Sequence, residues 1–284
     1  MTPATSSARS VDALPFDLDP QTPGIGAFIS GLDLRQALTD DVIAALRAAL
    51  VQWKVIFFRD QHLTEEEHIR FARRFGELEI HPLTPADQPR PEILRIVHDR
   101  DNRGTENAWH SDVTWRPQPS LGSILRAVEI PDLGGDTLWA DMEAAYAELP
   151  DALKEKLAGL KAEHNFLRAF GHRIPEEQHQ GILERHPPQH HPVVRTHPES
   201  GRKSLYVNIA FTDHIVGMDR QESDKLLGFL QDRAGRPEYQ VRLKWQPGTI
   251  AFWDNRASQH YAVSDYWPQR RVMERVTVAG DRPF

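Results

Sequence analysis

The hydrophobic positions along this 284-residue chain change period several times, and each change marks an element. Between residues 16 and 34, short alternating segments broken by Gly and Pro predict an opening hairpin. Val42, Ala45, Leu46, Ala49 and Leu50 then recur at helical spacing behind the caps Thr39 and Asp40. Val55, Ile56, Phe57 and Phe58 form an apolar run of strand length, which predicts burial on both faces. Thr64 and Glu67 make a capping box ahead of a second helix with Ile69, Ala72 and Phe75 inward and Gly76 at its end.

Further strands are predicted at residues 92–97, at 123–128 and, after the Gly134-Gly135 turn, at 136–139. A helix over 141–160 would line up Leu153, Leu157 and Leu160. The tract 166–198 is rich in His, Pro, Gln and Arg and reads as a long insertion or lid. Its prolines break any regular ligand spacing among His186, His190, His191 and His197. A strand over 204–210, an amphipathic helix over 219–232 and strands at 239–245, 249–253 and 271–278 complete the pattern. No repeat and no linker divides the chain, so one domain over 15–284 is expected after a polar tail of residues 1–14. Strands on both sides of two helical stretches predict a β-sandwich or barrel with helices packed outside.

Composition narrows the chemistry. There are no cysteines, which removes disulfides and thiolate ligands and leaves His and carboxylate as the strong metal donors. A formal charge of -7 argues against a nucleic-acid binder, while an anionic small substrate stays compatible if arginines gather locally. The first residues lack the apolar core of a secretory signal and no apolar run reaches membrane-spanning length, so a cytoplasmic enzyme without a membrane partner is expected.

The segment WHSDVTW at 109–115 carries the candidate chemistry. On an extended strand His110 and Asp112 would project from one face. An imidazole with a carboxylate suits a divalent transition metal, and a second imidazole would complete a 2-His-1-carboxylate face with open positions for reactants. His260 is the candidate for that third place. Arg271 and Arg275, four apart on a predicted strand, would turn to the same side as Met273 and Thr277. Two inward guanidiniums need anions, and two different acidic ligands are the simplest supply.

WHSDVTW, GGDTLWAD, WDNRASQHYAVSDY and PQRRVMER, in that order, resemble the TauD/TfdA family of Fe(II)- and 2-oxoglutarate-dependent dioxygenases, closest to its taurine dioxygenase branch. The similarity runs from about Gly24 to Phe284. It implies a mainly β fold with flanking helices around a double-stranded β-helix, or jelly-roll, core. It implies Fe(II) on His110, Asp112 and His260, with 2-oxoglutarate and O2 as co-substrates. Arg271 would clamp the distal carboxylate of 2-oxoglutarate, assisted by Thr137. Arg275 and His81 would hold the substrate's anionic head, and Val113, Phe170 and Phe211 would wall its pocket. The reaction implied is hydroxylation of the carbon beside a sulfonate, taurine foremost, releasing sulfite and aminoacetaldehyde with succinate and CO2. A homo-oligomer, dimer or tetramer, is also implied.

Two positions depart from the taurine pattern: Thr84 stands where a tyrosine is expected, and Thr105-Glu106-Asn107 does not clearly supply the expected asparagine. The same-family alternatives are an alkylsulfatase and an aryloxyalkanoate dioxygenase. A non-catalytic, cupin-like binder of organic anions is the alternative of another class.

Overall fold

A computed structural model describes residues 14–82, 84–85, 87–104 and 107–284. The tail expected over residues 1–14 therefore falls almost wholly outside the described residues, as do Thr105 and Glu106.

The opening hairpin forms as read, with Asp17–Pro20 antiparallel to Ala27–Ser30. The first helix spans Asp40–Trp53, and the Thr39 side chain accepts from the Val42 amide. Thr64 and Glu67 complete the capping box of the helix Glu65–Arg73. Each cap satisfies amides that would otherwise lack an intrahelical acceptor.

The large sheet runs in the order Asp17–Pro20, Ala27–Ser30, Val55–Phe58, Ile250–Asp254, Gly122–Glu129, Arg271–Val278, with Leu78–Glu79 and Ile93–His98 both paired to Arg271–Val278. A second sheet has Thr137–Asp141 between Gln240–Leu243 and Ser258–Ala262. Together these sheets make the jelly-roll core, with the termini of non-adjacent segments brought side by side.

Strand alternation explains why both faces of the large sheet are apolar. Ile56, Phe58, Ile250 and Phe252 pack with Leu46, Leu50 and Phe71 of the two helices and with Phe75 just past the end of the second, which stops at Arg73. Val55, Phe57, Ala251 and Trp253 pack instead with Trp139 and Val241 of the second sheet and with Trp245 just beyond it. Val55–Phe58 is buried throughout, as its unbroken apolar run predicts.

Expected bounds change at several elements, and the strand expected over 204–210 is confined to Lys203–Leu205. The single helix expected over 141–160 is two, Met142–Ala147 and Asp151–Leu157, with Pro150 at the start of the second. Proline has no amide hydrogen and its ring clashes with the preceding turn, so the first helix stops before Pro150, while Leu153 and Leu157 share the second and Leu160 lies beyond its end. The insertion expected over 166–198 is shorter: residues 166–185 carry short helices, whereas Gln189–Pro192 and Val194–Thr196 are strands paired with Lys161–His164 and Lys203–Leu205. Among the described residues, no helix is long and apolar enough to cross a membrane.

Candidate metal centre

His110 and His260 face each other across an isolated antiparallel bridge, exchanging both backbone hydrogen bonds at 3.1 and 2.8 Å. The regular strand expected through Asp112 is absent. The chain turns after His110, with Val113 at φ 47° and the Arg116 amide donating to the Val113 carbonyl. Asp112 therefore comes to its place by a turn, not by the two-residue alternation of a strand. Its amide donates to Asn255 Oδ1 at 3.1 Å, which pins the turn to the segment leading into His260.

The result is a cluster in which His110, Asp112 and His260 each offer a ligand atom within 4.8 Å of the others. Asp112 and His260 are buried, and His110 is half-buried. His260 Nε2 stands 4.0 Å from Asp112 Oδ1, so these two side chains approach a common point. His110 Nδ1 donates to the Ala108 carbonyl at 2.8 Å, which leaves Nε2 with its lone pair as a ligand. Burial, with the neighbouring His110 adding to it, lowers the pKa of His260 to about 3, so its ring is neutral at ordinary pH. Burial alone would raise the pKa of Asp112, but Arg275, the two imidazoles and Ser123 overcome it and hold the group well below the usual carboxylate range. Two imidazoles and one carboxylate with its second oxygen occupied elsewhere fit a divalent ion with open positions.

Asp112 Oδ2 accepts from Ser123 Oγ at 2.8 Å and from Asn255 Nδ2 at 3.3 Å, while Oδ1 accepts from Arg275 at 2.6 Å. Ser123 and Asn255 escaped the sequence reading, although Asn255 lies inside the quoted WDNR segment. An amide directly before a run that supplies a ligand was the available signal.

A cavity opens beside the triad, lined by His110, His260, Thr137, Arg271, Arg275 and Trp253 among others. Arg271 and Arg275 do share a face, as their spacing predicts. Arg271 is buried, with its guanidinium carbon 5.6 Å from the Tyr266 ring centroid. Tyr266 and His98, joined at 2.7 Å, complete that wall and were also missed.

Val113, Phe211 and Phe170 meet in a separate apolar cluster with Trp115 and Phe166. The Phe211 ring centroid lies 6.3 Å from that of His110, so this wall borders the triad. His81 is drawn toward the same region. Burial lowers its pKa to about 3, assisted by the charges of Arg275 and Arg116.

The histidines of the 166–198 tract do not enter the triad. His191 hydrogen-bonds the Arg116 carbonyl at 2.9 Å, and His197 donates to Asp254 at 3.0 Å. A second cluster, Glu163, Asp213 and His214, is half-exposed, and Asp213 is already paired with Arg168 and Arg220.

The family model "Taurine catabolism dioxygenase TauD, TfdA family" matches residues 17–277. The chain belongs to this family. It is an Fe(II)- and 2-oxoglutarate-dependent dioxygenase. It is 40% identical over 285 residues to an alpha-ketoglutarate-dependent sulfate ester dioxygenase of Pseudomonas putida, covering 97% of this chain and 93% of the relative. An alkylsulfatase of Acinetobacter baylyi is 39% identical over 268 residues, covering 92% and 84% of the two chains. The crystal structure of a taurine dioxygenase from Burkholderia xenovorans superposes with a TM-score of 0.82 at 38% identity, covering 94% of this chain and 90% of that one.

Proposed function

We propose that this dioxygenase oxidises the carbon bonded to an anionic sulfur head group, with organic sulfate esters bearing an apolar chain as the preferred class. Taurine is the second reading, supported by the likeness to the Burkholderia xenovorans taurine dioxygenase. The observation that carries the first reading is one guanidinium, Arg275, at the edge of the triad, together with an apolar cluster of Val113, Phe170 and Phe211 that borders His110. Such a wall suits a hydrocarbon chain better than the protonated aminoethyl group of taurine, which would be desolvated there without a counter-charge. The relatives named for alkyl sulfates and sulfate esters support the same preference.

In this reading His110, Asp112 and His260 hold the iron, which with 2-oxoglutarate and O2 supplies the oxidant that converts a substrate C–H to C–OH, leaving succinate and CO2. Arg271 receives the distal carboxylate of 2-oxoglutarate in a bidentate fork, and the Thr137 hydroxyl donates to it. Arg275 holds the sulfate oxygens, with His81 beside it, and the apolar wall fixes which carbon lies nearest the triad. A hydroxyl placed on the carbon that bears the ester oxygen lets the adduct collapse to an aldehyde and sulfate; next to a sulfonate it releases sulfite.

The test is a substrate panel on protein loaded anaerobically with Fe(II) and 2-oxoglutarate: alkyl sulfates from butyl to dodecyl, alkanesulfonates, taurine and phenoxyacetates. Sulfate release matched one-to-one by succinate is expected from the alkyl sulfates. Sulfite from taurine with no sulfate from any ester would replace this reading by the second. Succinate that stays at its uncoupled background for every compound with a sulfur head would overturn both.

A further inference from the structure

We infer that Trp245 is a positioning residue for 2-oxoglutarate, orienting the Thr137 hydroxyl so that its hydrogen points at the distal carboxylate. The inference rests on the proposed pairing of that carboxylate with Arg271 and Thr137, and it goes further by naming what sets the hydroxyl's direction.

Trp245 Nε1 donates to Thr137 Oγ1 at 3.0 Å, and both side chains are buried. An indole N–H can only donate, so it occupies a lone pair of the hydroxyl oxygen and cannot accept the hydroxyl's own hydrogen. Among the described residues Thr137 Oγ1 has no other hydrogen-bond partner. Its hydrogen is thus left for a group in the cavity, where Thr137 and Arg271 both form the lining.

The backbone of Thr137 has little freedom, because it is paired with Leu243 on one side and Ala262 on the other. Trp245 follows two residues after Leu243 and is fixed among Trp139, Val241 and Leu243, its ring centroid 6.4 Å from that of Trp139. With both frames rigid, the remaining variable is rotation about the Thr137 C–O bond, and the indole settles it. A hydroxyl already turned toward an incoming carboxylate loses less rotational freedom when the ligand binds.

The Arg271 end of the cavity is shaped by the same stretch of chain. Gly135, at φ 73°, leaves room where a Cβ would stand 3.2 Å from Arg271 Cδ and Nε. Residues 135 and 137 therefore set the two halves of one carboxylate clamp, and Trp245 acts on the second half.

The experiment measures 2-oxoglutarate binding by calorimetry on the full chain loaded with Zn(II), which is redox-inactive. Trp245→Phe and Thr137→Val should each weaken binding about tenfold, the size of one lost charge-assisted hydrogen bond. The double variant should be no weaker than either single one. Binding of pyruvate, which has no distal carboxylate, should be unchanged by both. Two effects that multiply, or wild-type affinity in Trp245→Phe while Thr137→Val is weakened, would overturn the role of Trp245 alone. Wild-type affinity in Thr137→Val would overturn the Thr137 reading and this inference with it. Should Trp245→Phe not fold, 15N-labelled tryptophan in the natural chain provides the second measurement: the indole resonance displaced by Thr137→Val should move when 2-oxoglutarate is added, and a stationary resonance would overturn the proposal.

Discussion

Arg275 donates to Asp112 Oδ1 at 2.6 Å, and that same oxygen is the one that faces His260. The arginine proposed for the substrate's sulfate is thus fastened to a carboxylate proposed for the metal. A divalent ion on Asp112 competes with the guanidinium for one oxygen, and a bound sulfate competes with Asp112 for the guanidinium. Metal and substrate should therefore favour each other, and by linkage the coupling must be equal in both directions.

The expected outcome is that dodecyl sulfate binds several-fold more tightly to Zn(II)-loaded than to metal-free protein, measured by calorimetry. Arg275→Leu should weaken the sulfate ester by at least about tenfold, as expected for the loss of a charge-assisted contact, while metal affinity is kept or rises. Arg271→Leu should instead raise the 2-oxoglutarate requirement and spare the ester. Equal losses of both ligands in both variants would contradict this division of labour.

Asn255 bridges the two halves of the centre, accepting from the Asp112 amide and donating to its Oδ2. Its Oδ1 also accepts from Trp253 Nε1 at 3.0 Å, which holds the amide group in one orientation. Asn255→Ala should reduce metal affinity roughly 10- to 100-fold, the range found when a ligand's supporting hydrogen bonds are removed. Competition against a chromogenic chelator measures this, and an unchanged affinity would mean that the turn at Asp112 holds its shape unaided.

Much of the architecture could be read from local pattern because its causes are local. The box made by Thr64 and Glu67, the all-buried run from Val55 to Phe58 and the even spacing of Arg271 and Arg275 each depend on a few consecutive residues. The triad itself was legible through motif resemblance more than through geometry. The reason is that Asp112 reaches its place by a turn with Val113 in the left-handed region, a conformation that strand alternation does not anticipate. Ser123 and Asn255 stayed hidden for another reason. Their partner Asp112 lies 11 and 143 residues away, and no periodicity links positions that meet only through sheet topology. The helix expected over 141–160 is too long because Pro150 interrupts it and Gly159, at φ 78°, follows the second segment, leaving Leu160 outside.

Buried neutral histidines give a pH dependence with a definite sign. Burial, reinforced by the charge of Arg126, lowers the pKa of His68 to about 3, and its Nε2 hydrogen-bonds the Ile124 carbonyl at 3.1 Å. Burial likewise lowers His191 to about 4. The unfolded chain takes up these protons near pH 6.5, well before the folded chain does. Stability from both groups is therefore complete above about pH 6.5 and falls as pH drops toward 4 and 3, each histidine costing up to about 1.4 kcal/mol per pH unit inside its window. Thermal melts from pH 7.5 to 4 should show a midpoint that falls with acid, and His68→Leu should flatten the slope. A midpoint constant over that range would mean that the rings take up protons in the fold without cost.

Phe170 is half-buried, and its ring centroid lies 6.0 Å from that of Phe211, so it closes the apolar wall from the side of the short helix Phe166–Phe170. Because it is only partly covered, trimming it removes contact with substrate more than it opens the core. Each methylene of a bound chain that loses its apolar neighbour forfeits up to about 0.8 kcal/mol, so the penalty should grow with chain length and then level off. Phe170→Ala is expected to raise KM for dodecyl sulfate roughly tenfold while changing butyl sulfate little, with kcat held. A uniform rise across all lengths would place the chain elsewhere, and a rise for taurine of the same size would show that the phenyl ring serves the head group instead.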